Sequence, residues 1–199
     1  HVGNIEGVEN VHANDVHLLL ALQSTDYHKE NKGVKNRLQV QNALTLLGGK
    51  RKDEDMCAIS TAAREVEEET GGLLQLRRED HNEPTAICWN PTAKYVVFLQ
   101  EARPVDLALP VRYLKYYSSH QKAIRENNDD EALEIAEVST IMWVSLKRLL
   151  AKDGPKLHPY VLKPLMKSNS LLVKLLLELR TKKLQSLQRE QREQQREEN

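Results

Sequence analysis

Glu65, Glu68 and Glu69 stand in the run Arg64-Glu65-Val66-Glu67-Glu68-Glu69-Thr70-Gly71, and their spacing decides what they could do. On a helix, residues three and four apart share a face, so Glu65 lies beside both Glu68 and Glu69. Three carboxylates then converge on one small volume. Like charges at this spacing destabilise a bare helix, so the cluster needs a cation to neutralise it. Mg²⁺ or Mn²⁺ suits it best. Both are hard ions that prefer oxygen ligands, and Mg²⁺ commonly takes few carboxylates together with substrate phosphates and water. The expected chemistry is metal-assisted hydrolysis of a diphosphate. An acidic run by itself is usually a solvated helix face. Its company separates this one from that reading: Arg64 directly before it, Gly48-Gly49 upstream, and Lys50 immediately after the glycine pair.

The elements that must position these groups carry their own signals. Asp53 or Asp55 can cap the start of the acidic helix, and Gly71-Gly72 supplies a left-handed stop. Ala58, Ser60, Ala62 and Ala63 are small enough for close packing. Ile59, Ala62, Ala63 and Val66 form a stripe opposite the acids, which predicts a helix with its apolar side on a core and its carboxylates in a cleft.

Taken together, Gly49, Arg64, Glu65, Val66, Glu68, Glu69 and Gly71 resemble the Nudix hydrolase signature: Gly, five residues, Glu, seven residues, then Arg-Glu-apolar-X-Glu-Glu-X-Gly-apolar. The chain departs from it in three places. Counted from Gly49, the first acid is Asp55 rather than a glutamate. Arg64 comes one residue late, and Gly72 stands where an apolar residue is usual, with Leu73 after it. Gly48-Gly49-Lys50-Arg51, Asp55 and Thr61-Ala62-Ala63-Arg64-Glu65 look like the coenzyme A diphosphatase branch. The upstream Arg-Ser and Phe-Pro of that branch are missing; Gln23-Ser24-Thr25 and Leu46-Leu47 stand there instead.

The resemblance implies an α/β/α sandwich with a mixed sheet between helices. It also implies that Glu65, Glu68, Glu69 and the carbonyl of Gly48 hold Mg²⁺ or Mn²⁺ against the diphosphate of a small-molecule substrate. A bound metal absorbs charge developing on phosphoryl oxygens and acidifies water. The general base stays open among Glu65, Glu69 and a loop acid, with Glu131 or Glu134 favoured as the additional acid. Arg64 is expected to orient the glutamates through forked hydrogen bonds. Lys50 and Arg51, with Lys52, are placed to meet phosphate, and Lys50 fits the family best.

Other residues carry less. The histidines show no metal-ligand spacing. Cys57 and Cys88 are too few and too far apart for a zinc site or disulfide framework, and Cys57 reads as a small packing residue of the acidic helix. With 199 residues, 40% of them apolar, the chain suits one globular domain with an appendage. Lys+Arg and Asp+Glu are equal at 29 each, which argues against a globally basic nucleic-acid binder. No apolar run approaches bilayer-spanning length, so a soluble intracellular protein with no membrane partner is expected.

The coarse organisation is α/β. A buried strand is predicted over Val16–Leu22, a loop over 24–37, and a strand over Leu38–Leu47. Strands over Thr85–Trp89 and Lys94–Gln100 flank the Asn90-Pro91 turn as a hairpin. A helix is predicted over Val111–Asn127 with Leu114, Tyr117 and Ile124 inward. Another strand follows at Ile141–Val144, then helices around Leu146–Ala151 and after Pro159. Residues 1–168 form the expected Nudix domain and 169–199 a helical tail, amphipathic at first and almost wholly Gln, Arg and Glu beyond Leu187. Its apolar half suits docking on the domain or self-association with another chain. Heptads are not sustained along it. Three functions follow: a Nudix diphosphohydrolase of nucleotides or nucleotide cofactors, an RNA 5′-end processing enzyme using the basic residues, and a Nudix-shaped binding module without turnover.

Overall fold

A computed structural model describes residues 16–23, 42–76, 85–90, 95–126, 138–159, 161–167 and 170–197. The chain is mixed α/β and divides into two compact units. One comprises residues 19–143 and 155–164; the other takes in 144–154, the residues from 165 onward and those before 19.

The first unit is organised around strand β1, His17–Gln23, whose leucine run places Leu20 and Ala21 in complete burial. It pairs antiparallel with β2, Leu44–Thr45, and the sheet order is β2-β1-β5, with β5 at Val138–Ser145. A parallel bridge joins Leu44 to Leu157. There the Leu44 amide donates to the Lys156 carbonyl at 2.8 Å and the His158 amide to the Leu44 carbonyl at 2.8 Å. The strand predicted over 38–47 is thus short where it is described; positions 38–41 lie outside the described residues. The two strands predicted there pair antiparallel, β3 at Ala86–Asn90 against β4 at Tyr95–Leu99, while residues 91–94, with Pro91 of the turn signal, lie outside the described residues. Its register puts Cys88 opposite Val97, both buried, while Ile87 and Trp89 on the other face are exposed.

Helix α1, Ala58–Glu69, carries the acids. Helix α2, Leu109–Glu126, follows a 3-10 turn at Pro104–Ala108. It starts two residues earlier than predicted, and its inner line is Leu109, Tyr113 and Tyr117 at four-residue steps. Leu114, expected inside, is 57% exposed because that line fixes the opposite phase. Leu109 and Tyr113 pack with Ala21, Val138 and Ile141 into one buried cluster, and Leu47, Leu73 and Leu74 from the two ends of the acidic segment lie against it. The Tyr113 hydroxyl donates to the Val138 carbonyl at 2.6 Å, so the ring is buried without an orphaned polar group.

The second unit contains helix α3, Leu146–Leu150, capped by Ser145, whose hydroxyl accepts from the Arg148 amide at 3.2 Å. It also contains helix α4, Leu171–Glu197, led by Ser170, which accepts from the Val173 amide at 3.2 Å. The segment after Pro159 is turn rather than helix where described, and the helix begins at Leu171. Leu172, Val173, Leu176 and Leu177 are buried, whereas residues 185–196 are exposed. No described helix is long and apolar enough to cross a membrane.

Candidate active site

The Gly48–Cys57 loop and helix α1 form the site, both within the first unit. The loop folds on itself first. The Lys52 amide donates to Asp55 Oδ2 at 2.8 Å, the Asp55 amide donates back to the Lys52 carbonyl at 3.1 Å, and the Arg51 guanidinium donates to the Asp55 carbonyl at 3.1 and 3.2 Å. Asp55 is therefore spent inside the loop and does not cap the helix, and Asp53 does not cap it either. Cys57 is the N-cap: its amide donates to Ser60 Oγ at 2.9 Å and its carbonyl accepts from the same hydroxyl at 2.7 Å. Cys57 is exposed, not packed, and the Ser60 hydroxyl beside it holds its thiol below the usual cysteine range.

Arg64 then fastens the loop to the helix. Its guanidinium forks onto the Asp55 carboxylate, Nε to Oδ1 at 3.0 Å and Nη2 to Oδ2 at 2.9 Å. It also reaches Glu68 Oε2 at 2.8 Å, the Lys50 carbonyl at 3.0 Å and Glu65 Oε1 at 3.0 Å. The Asp55 side chain is 4% exposed and that of Arg64 18%, so the pair is little screened by water. Arg64 and the Lys52 amide together hold the Asp55 carboxyl far below its ordinary value.

Each glutamate of the trio meets a different group. Glu69 is buried, and its Oε2 accepts the Gly48 amide at 2.8 Å. Glu68 lies between Arg64 and the Lys52 ammonium, the latter at 3.2 Å. Glu65 lies against Gly49 so closely that a Cβ there would overlap its carboxylate, which is why that position takes glycine. Burial is the main cause raising the Glu65 pKa, with Arg64 opposing it. All three glutamates face the glycine loop, as the helical spacing predicts. The stripe of Ile59, Ala62, Ala63 and Val66 is half-buried, and full burial in the helix belongs to Thr61 and Glu69. At its end Gly71 and Gly72 adopt φ of 61° and 71°, and the Tyr116 ring lies where a Gly71 side chain would stand.

In kind, the donor set fits a hard divalent cation: three carboxylates and a glycine carbonyl, one carboxylate buried and another pushed up by burial. In arrangement they are spread over separate partners. Among the described residues, no group of three or more His, Cys, Asp or Glu is gathered to hold an ion. Lys50 keeps its side chain exposed while Arg64 holds its carbonyl, so its ammonium is presented at the loop. Arg51, expected at phosphate, is exposed but donates to its own loop. Glu131 and Glu134 lie outside the described residues.

Sequence reasoning missed the pairing of Lys52 with Glu68 and of Arg64 with Asp55, which span 16 and 9 residues. Neither separation has a helical or strand period. It also missed Tyr116 over Gly71, a contact between elements that no local pattern announces. Comparison with known protein families, with curated proteins and with solved structures finds no match for this chain.

Proposed function

We propose that this chain is a metal-dependent hydrolase of the Nudix kind, cleaving a diphosphate linkage in a nucleotide or nucleotide cofactor by attack of water on phosphorus. One observation carries the reading: Arg64 binds Asp55, Lys50, Glu65 and Glu68 at once, and so fixes a glycine-lysine loop over a helix face bearing three carboxylates. A solvated acidic face has no need of such a clasp. The Nudix sandwich is part of the same proposal, and the mixed α/β architecture with its short sheets is compatible with it.

Glu65, Glu68, Glu69 and the Gly48 carbonyl are the groups that would hold Mg²⁺ or Mn²⁺. The ion, when bound, supplies Lewis acidity toward phosphoryl oxygens and a more acidic water. Arg64 is a positioning residue, setting Glu65 and Glu68 through a guanidinium that is always charged and planar. Lys50, with its exposed ammonium beside the glycines, receives a substrate phosphate. The half-buried Glu65 carboxylate, whose pKa is raised, is suited to accept a proton from water. An RNA 5′ end is a second substrate class, favoured by three consecutive cations at Lys50, Arg51 and Lys52, all exposed.

The test is a mass-spectrometric screen of the full chain with Mg²⁺ or Mn²⁺ against coenzyme A, ADP-ribose, dinucleoside polyphosphates, nucleoside triphosphates and capped RNA. At least one should be cleaved at its diphosphate. Glu68→Gln and Glu69→Gln should each lower turnover roughly 10²–10³-fold while the protein stays folded. Binding of a diphosphate with no cleavage under any metal would replace the enzyme with a binding module. Full activity in both variants would remove them as metal ligands.

A further inference from the structure

Glu65, Glu68 and Glu69 are engaged by partners of different kinds, and those partners differ in how readily they let go. Glu69 accepts a backbone amide, that of Gly48 at 2.8 Å, which moves only if the loop does. Glu65 meets Arg64 at 3.0 Å. Glu68 has both oxygens taken, Oε2 by Arg64 Nη1 at 2.8 Å and Oε1 by Lys52 Nζ at 3.2 Å. Arg64 is anchored by its fork onto Asp55 and by the Lys50 carbonyl, so it cannot leave Glu68 without loosening the loop from α1.

Lys52 is tied at one end only. Its backbone is pinned, the amide donating to Asp55 Oδ2 at 2.8 Å and the carbonyl accepting the Asp55 amide at 3.1 Å. Its side chain is 45% exposed, and among the described residues the ammonium meets Glu68 alone. A hydrated point charge on a flexible stem gives up such a contact easily, since an exposed ion pair contributes little. The charge balance points the same way. Arg64 is offset by Asp55 at 2.9 Å, which leaves Lys52 as the cation set against the three glutamates.

We propose that Lys52 is a displaceable counter-ion of this site: its ammonium competes with Mg²⁺ or Mn²⁺ for the Glu68 carboxylate and thereby sets the affinity for the ion. The inference rests on the metal-binding reading of the three glutamates given above. It also accounts for why carboxylates of the right kind are not gathered, since Lys52 and Arg64 take the two oxygens of Glu68 that an ion would share with its neighbours. A divalent ion carries twice the charge of the ammonium and prefers the same hard oxygen, so it takes Glu68 from Lys52. Lys52 and the ion then repel each other, and the exposed stem lets the ammonium swing into solvent with the loop backbone unmoved. This exchange weakens metal binding, and removing the ammonium restores it.

Titration of the chelator-stripped full chain with Mn²⁺, followed by the electron paramagnetic resonance signal of the free ion, tests this without reference to turnover. Lys52→Met keeps the bulk of the stem and every backbone hydrogen bond of the loop, and at fixed pH and salt it should bind Mn²⁺ roughly three- to tenfold more tightly than wild type. Lys52→Arg returns a cation to that place and should bind no more than about twofold more tightly than wild type. Lys50→Met is the control. It removes the same charge from an exposed position two residues away, with no carboxylate partner among the described residues, and should change the affinity by less than about twofold. Affinity in Lys52→Met equal to wild type or weaker overturns the proposal. So does an equal gain from Lys50→Met or from Lys52→Arg, because the effect would then not come from contact of the ammonium with Glu68. Mn²⁺ that stays free with all of these proteins defeats the metal-binding reading itself, a result distinct from the others.

Discussion

Arg64 and Arg192 are the same side chain in similar company, each on a helix thick with glutamate, and they end in opposite circumstances. Arg64 is mostly buried and touches two side chains and a carbonyl besides its own neighbour Glu65. Arg192 is exposed, with glutamines and arginines at its helical contacts. Composition does not separate them. The glycine-paired loop does, because Gly48 adopts a φ of 139° that presents its amide to Glu69, and Gly49 leaves the space in which the Glu65 carboxylate lies. A charged helix face becomes a site when a second piece of backbone approaches it, and remains a solvated face when none does.

Four changes break or sharpen that contrast. Gly49→Ala has the largest effect. The new methyl can be admitted only by moving the Glu65 carboxylate, the flexible end of its side chain, so stability should change by less than about 1 kcal/mol while turnover on the identified substrate drops roughly 10²-fold. Unchanged turnover would separate Glu65 from the chemistry.

Arg64→Lys keeps the charge and loses the fork. Denaturant titration should show a loss of about 2 kcal/mol, since an ammonium cannot span Asp55, Glu68 and the Lys50 carbonyl together. A midpoint equal to wild type would mean the clasp is ornamental.

Asp55→Asn acts on the acid side. Arg64, then the Lys52 amide, depress the folded pKa of Asp55 well below its ordinary 3.8. A depressed carboxyl contributes stability that is whole above the unfolded value and is lost as pH falls toward the folded one. Glu65, raised by burial, has the opposite sign, its contribution fading as pH rises through its folded value. Wild type should therefore lose stability on acidification below about pH 4, and the variant should lose less over the same window. Equal acid limbs would assign the loss to other carboxyls.

Arg192→Lys is the smallest change. Thermal unfolding should shift by no more than about 0.5 kcal/mol equivalent, since Arg192 is exposed. A larger shift would show that Arg192 is not a solvated side chain.

Periodicity read well where one element decides its own face. The leucines of β1, the antiparallel pairing of the two hairpin strands, the glycine stop at Gly71-Gly72 and the shared face of Glu65, Glu68 and Glu69 were all legible. Failures came where two elements compete for one residue. Asp55 is a fair cap by type, but the Arg64 guanidinium binds it more strongly than a helix amide does, leaving Cys57 and Ser60 to cap. Leu114 is apolar enough for the core, yet Leu109 and Tyr113 take that face once the helix begins before Val111. Arg51 is basic beside a glycine pair, yet its charge goes to the Asp55 carbonyl of its own loop. The Asp55–Arg64 contact spans nine residues with no helical or strand period, whereas Arg51 and Leu114 were settled within one turn, by loop closure and by where the helix starts.

The Cys57 cap offers a practical handle. Its thiol is accessible and acidified at the hinge between loop and helix, while Cys88 is buried with its thiol pushed up. A thiol-reactive dye should therefore attach at that one place in the unaltered polypeptide, giving a fluorescent reporter of how the loop settles as cations or nucleotides are added.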